Sequence, residues 1–169
     1  MCDARAVGAY GTEGWSDFFV AAAGASAALA GLLFIGISIN LGRILEINGL
    51  PSRAALSLMV LANAMVVSLT LLGPNRTGTG LGVLVLLVGG LGWIGTSVVL
   101  WHGRSVETAR HHGLRWLITT ELATLPFIVG GISLIAGAGG GLYWVQAGVI
   151  VSAAVGLLNA WVLLVEILR

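Results

Sequence analysis

Residues 114–168 read LRWLITTELATLPFIVGGISLIA, then GAGGG, then LYWVQAGVIVSAAVGLLNAWVLLVEIL. A hydrocarbon layer about 30 Å thick takes roughly 20 mostly apolar residues for one helical crossing. Joined without a turn, the two flanking stretches would make a helix far too long to cross once. The run Gly137-Ala138-Gly139-Gly140-Gly141 therefore predicts a hairpin between two spans. Upstream lie three further apolar stretches, interrupted by Asn48-Gly49-Leu50-Pro51, Gly73-Pro74-Asn75 and His102-Gly103-Arg104. The spans are predicted at about 17–41, 54–72, 81–101, 114–136 and 142–168. The expected fold is all-α: one integral membrane helical bundle over residues 1–169, with five transmembrane helices.

Composition leads to the same class. Hydrophobic residues make up 57% of the chain and charged residues 9%, against about 25% charged in soluble domains. There is too little polar surface to coat a globule, whereas helices in lipid satisfy their own backbone groups and need none. The net charge of +1 gives neither the basic patch that binds nucleic acid nor a polybasic run for anionic lipid. Every basic residue is Arg, and Gly, Ala, Leu and Val abound, as a GC-rich bacterial genome produces. A bacterial inner (plasma) membrane is the expected location. Cys2 has no second cysteine to pair with. The leader Met1 to Ser16 lacks a basic region followed by an apolar one, so the first helix is expected to persist in the mature protein.

Short cytoplasmic loops collect arginine. Arg43 and Arg53 lie between spans one and two, Arg104, Arg110 and Arg115 between three and four, and Arg169 at the end; only Arg5 and Arg76 fall on the other side. This asymmetry predicts an N-terminus outside and a C-terminus in the cytoplasm. Trp15, Trp101, Trp116 and Trp144 stand near span ends, where indole rings favour the headgroup region.

Glu121 is the one carboxylate well inside a predicted span. An acid near the centre of a membrane helix costs about 2.5–3.5 kcal/mol on insertion scales, so it is expected to face a partner, a cavity or a proton path. Thr120 adjoins it and Thr124 is one turn on, while Pro126 lacks an N–H and frees the carbonyl of Leu122. These residues, with the amides Asn63 and Asn159, are the candidates for an ion or proton path. The structural alternative is that Glu121 pairs with Asn63, Asn159 or Arg115 to lock the bundle. Small residues four apart mark helix contacts. Ala23, Ala27 and Gly31 form one such ladder, and Gly148, Ser152, Gly156 and Ala160 another. His102, His111 and His112 match no zinc spacing, so no metal site, and no cofactor, is expected. No phosphate loop, nucleophile elbow or His-Glu-x-x-His is present, and no catalytic residues are assigned.

Trp15 with Phe18-Phe19, then Gly31-Leu32-Leu33-Phe34, Ser38-Ile39-Asn40-Leu41 and Leu50-Pro51-Ser52-Arg53-Ala54, resemble an uncharacterised family of small actinobacterial multi-pass membrane proteins. The resemblance covers the first two helices and their loop, and implies topology and taxon without an activity. The expectation is a non-enzymatic homo-oligomer in the lipid bilayer, a channel or transporter for an ion or proton using Glu121. The alternative is an accessory subunit of a larger membrane assembly, with a membrane protein partner and no transport of its own.

Overall fold

The computed structural model describes residues 8–10, 14–47, 49–74, 78–104 and 110–168; at 103–104, 110–117, 163–164 and 166–168 it describes the backbone alone. The helices are α1 (Ser16–Ile39), α2 (Leu41–Glu46), α3 (Leu50–Leu71), α4 (Gly78–Arg104), α5 (Arg110–Ala136) and α6 (Leu142–Leu168). No strand occurs among the described residues. All except α2 are long and apolar enough to cross a membrane, over Ser16–Ile39, Leu50–Leu71, Gly78–His102, Ile118–Ala136 and Leu142–Val162. The all-α, five-span bundle read from the sequence is the architecture observed.

The boundaries move where turn residues join a helix. The first span stops at Asn40 (φ −108°, ψ 17°), whose Nδ2 donates to the Gly36 carbonyl at 2.9 Å. The short α2 follows at once. Span two begins at Leu50, earlier than expected. Gly49 supplies the left-handed start (φ 87°), and Pro51 sits in the first turn, where its missing N–H has no partner to lose. Ser16 and Asp17 do not cap α1; Trp15 occupies the cap position without a side-chain capping bond.

Helices α3, α4, α5 and α6 form a ring in which each packs on the next and α6 returns to α3. Helix α1 lies outside the ring, mainly against α3 and more lightly against α6. Within the ring Val67, Val85, Phe127, Leu142 and Val145 are fully buried. A second cluster, Leu33, Ile44, Leu50, Ala54 and Leu61, ties α1 and α2 to α3.

Helices α4 and α5 approach closely through glycine. A methyl group at Gly82 would stand 2.8 Å from Ile135 Cγ1 and 2.9 Å from the Gly131 carbonyl. One at Gly131 would meet Leu86 Cβ at 2.9 Å, and one at Gly89 would meet Phe127 Cβ at 2.8 Å. In lipid the hydrophobic effect does not press helices together, so backbone proximity of this kind supplies the dispersion contacts that hold them.

The glycine run turns as expected. Gly137 (φ 63°) follows α5, and Ala138 N–H donates to the Ser133 carbonyl at 3.3 Å, the bond that closes a Schellman cap. Ser133 Oγ donates to the Ala138 carbonyl and accepts from Gly141 N–H at 2.8 Å. The helical turn at 8–10 docks here. Tyr10 Oη accepts from Gly140 N–H at 3.1 Å, and a side chain at Gly141 would collide with the Ala9 carbonyl. Trp15 stacks near Phe19, and its ring edge meets Tyr143 at a centroid distance of 5.1 Å. Its Nε1 donates to the Gly8 carbonyl.

Candidate functional site

Glu121 lies on α5, three residues into the span that begins at Ile118. Its carboxylate Oε2 accepts a hydrogen bond from Trp93 Nε1 of α4 at 2.9 Å. The side chain is half-buried. It stands in the wall of a groove of about 440 Å³ whose other walls are Ile118, Leu122, Leu125, Pro126, Val129 and Trp144. Ile118, Leu122, Leu125 and Val129 are among the exposed apolar residues. The acid therefore faces outward, at the level of an apolar surface, instead of into the ring.

Apolar side chains on this face leave Trp93 N–H as the donor the carboxylate has found. Trp93 is itself exposed, so the pair lies at the outer surface of the bundle, and an anion in hydrocarbon needs such a donor. Pro126 sits inside α5. Without an N–H it leaves the Leu122 carbonyl lacking its usual donor one turn on. Trp144 donates through Nε1 to the Gly139 carbonyl at 2.8 Å, which fixes its ring over the far end of the groove.

The sequence candidates separate into different environments. Thr124, expected to share Glu121's face, is fully buried and donates to the Thr120 carbonyl at 2.9 Å; Thr120 is buried as well. Ser57, Ser68 and Thr96 likewise donate to carbonyls of their own helices. Such bonds close the hydroxyls onto the backbone. Asn63, 7% exposed, lies against Gly92 of α4, and its Nδ2 has no hydrogen-bond partner among the described residues. Asn159 is half-buried on α6, outside the groove walls. Thr120 and Thr124 are thus joined inside the bundle, Glu121 is joined to Trp93, and Asn63 lies against Gly92, the residue before Trp93. The locking pairs considered for Glu121 give way to Trp93 where Asn63 and Asn159 are concerned. The Arg115 side chain lies outside the described residues.

Of the second ladder, Gly148 lies beneath the Phe127 ring and Gly156 beneath Leu61. Ser152 donates across to the Ala123 carbonyl of α5 at 3.2 Å, and Ala160 packs on the Leu33–Ile44–Leu61 cluster. In the first ladder only Ala23 is buried; Ala27 and Gly31 face outward. The side chains of His111, His112, Arg104 and Arg110 lie outside the described residues. No group of three metal-ligating side chains occurs among the described ones.

No family model, curated protein or solved structure matches the chain.

Trp93 is the partner of Glu121 that sequence reasoning missed. Its signal was present: it lies mid-span, eight residues before Trp101, away from the ends where indoles anchor in headgroups.

Proposed function

We propose that the chain forms a non-enzymatic homo-oligomer in a bacterial inner membrane and moves an ion or proton by way of the Glu121 carboxyl. The observation carrying this reading is the Trp93–Glu121 pair on the outer wall of the bundle. Among the described residues the carboxyl accepts from Trp93 Nε1, and Glu121, half-buried, stands among the walls of an apolar groove. Besides Glu121 the three spans Gly78–His102, Ile118–Ala136 and Leu142–Val162 contain no Asp, Glu, Lys or Arg. A carboxyl in such a setting is a stopping place for a cation or proton.

The arrangement favours access from the side of the bundle over a pore along its axis, because the buried hydroxyls of Ser57, Ser68, Thr96, Thr124 and Ser152 are turned onto backbone carbonyls. Oligomer formation is supported by α1, whose exposed face carries Gly24, Ala27, Ala28 and Gly31 with open space over both glycines. An N-terminus outside and a C-terminus in the cytoplasm belong to this reading through the arginine asymmetry. The second reading, an accessory subunit without transport of its own, is favoured by the same α1 face, which suits a helix of another protein equally well.

Proteoliposomes carrying a pH-sensitive dye provide the test. Wild type should pass protons or cations down an imposed gradient. Glu121→Gln should remove that flux while preserving fold and particle size, since Gln keeps the shape and can still accept from Trp93. Wild-type liposomes that pass no common ion at any pH or voltage would remove the transport reading and leave the accessory one.

A further inference from the structure

We propose that the groove between α1, α3 and α6 seats an acyl chain of an anionic phospholipid whose phosphate is held by Arg43. The inference goes beyond the transport reading and draws nothing from Glu121.

The groove, about 530 Å³, is lined by Leu61 of α3, by Leu29, Leu33 and Gly36 of α1, and by Gly156 and Trp161 of α6. Its lining is almost wholly apolar, which suits hydrocarbon and excludes a charge from the groove itself. Leu29 to Gly36 covers about 10 Å of helix rise, within the roughly 15 Å of one leaflet of the hydrocarbon core. A helix of a second copy would need a furrow running the length of the bundle, whereas an acyl chain needs one leaflet. The groove also reaches the membrane boundary. Exposed Trp161 stands in the last turn of the span that ends at Val162, and Gly36 one turn before α1 ends at Ile39; indole rings favour the headgroup level.

The charge lies at that end. Helix α2 (Leu41–Glu46) follows α1 at once, and its Ile44 is buried in one cluster with Leu33 and Leu61, both of which line the groove. This contact fixes α2 at the groove mouth. Its next-door residue Arg43 is exposed, as are Leu41 and Leu45, the pattern of a helix lying in the interface with apolar side chains in lipid and its charge among headgroups. Glu46 is exposed as well, but from Asn40 to Arg53 the chain carries two arginines against this one acid. Guanidinium and phosphate make strong charge-assisted hydrogen bonds. The groove therefore supplies the hydrocarbon contact and Arg43 the choice of headgroup.

Trp161 provides the readout, since bromine atoms along an acyl chain in the groove quench its fluorescence. Brominated phosphatidylglycerol is titrated into the purified full-length protein in neutral detergent, with Trp161→Phe as the blank. Saturable quenching is expected, with an affinity about fivefold above that of phosphatidylcholine with the same chains, the worth of one arginine beside an anionic lipid. Arg43→Gln should bring the two lipids level while the particle elutes unchanged. Gly36→Phe places a ring where nothing stands within 4 Å and should weaken both lipids about tenfold or more. Leu32→Trp, from a second exposed groove position, repeats that test should Gly36→Phe lower the melting temperature. Glycerol phosphate, which has no chains, should not compete. Equal affinity of wild type for the two lipids would overturn the proposal, as would a preference that survives Arg43→Gln, binding untouched by both groove-filling variants, or competition by glycerol phosphate. Absence of saturable quenching would do so too, including the case where a second copy covers Trp161 in a stable oligomer.

Discussion

Asn63 is wedged against Gly92 where α3 and α4 pass, and among the described residues nothing accepts from its buried amide nitrogen. An unsatisfied buried donor costs about 1–3 kcal/mol, and exchanging it for an apolar group of similar shape is often neutral or stabilising. Asn63→Leu should therefore melt at or above the wild-type temperature in detergent, whereas Asn63→Asp should melt well below it. A lower melting temperature for Asn63→Leu would show that the amide has a partner after all. Residue-scale chemistry is also where the sequence was least complete. Glu121 was conspicuous because a carboxylate in an apolar run has a large energetic signature. Its partner was hidden, because a mid-span Trp reads equally as packing. Thr124 was assigned to the same face because it is one turn on. Three residues advance a helix by about 300°, however, and the missing 60° separates a half-exposed acid from a fully buried hydroxyl.

At the scale of elements, the spans were legible because hydropathy over roughly 20 residues is a collective property that no single substitution disturbs. Their contacts were less so. Gly148 and Gly156 do lie under facing side chains, but the glycine approach of α4 to α5, through Gly82, Gly89 and Gly131, was not separated from the general glycine content. Spacing alone does not tell which side of a helix meets another. The first ladder makes the point, with Ala23 buried and Gly31 open to the outside. Where a methyl group already meets a facing backbone, a larger side chain must separate the helices, and overpacking of this kind typically costs about 1–3 kcal/mol. Gly131→Leu should accordingly lower the melting temperature clearly, while Gly31→Leu should leave the monomer's melting unaltered. Equal effects of the two substitutions would mean that the α4–α5 contact is not what holds the pair.

For the whole molecule, the five-span topology predicts opposite sides for the two loops that flank α4. In a Cys2→Ser background, single cysteines at Thr77 and Ser105 should react with an impermeant maleimide from opposite faces of the membrane, Thr77 from outside. Labelling of both from one face would contradict five spans, and labelling of Ser105 from outside would reverse the orientation drawn from arginine. The location of the acid was the whole-molecule property the sequence left open. A span with one carboxylate can turn it toward the ring or toward lipid at the same hydropathy, and only the packing of α4 against α5 decides.

The seat of Tyr10 on the glycine turn has a bearing on how the chain is built. The Tyr10–Gly140 hydrogen bond joins residues 130 positions apart, so one partner leaves the ribosome long before the other exists. Residues 8–10 have no turn to grip until the last hairpin has entered the bilayer. Synthesis order thus makes this clasp a late event in assembly, and a chain halted after α5 would carry its first aromatic cluster without the Gly140–Tyr143 surface that receives it.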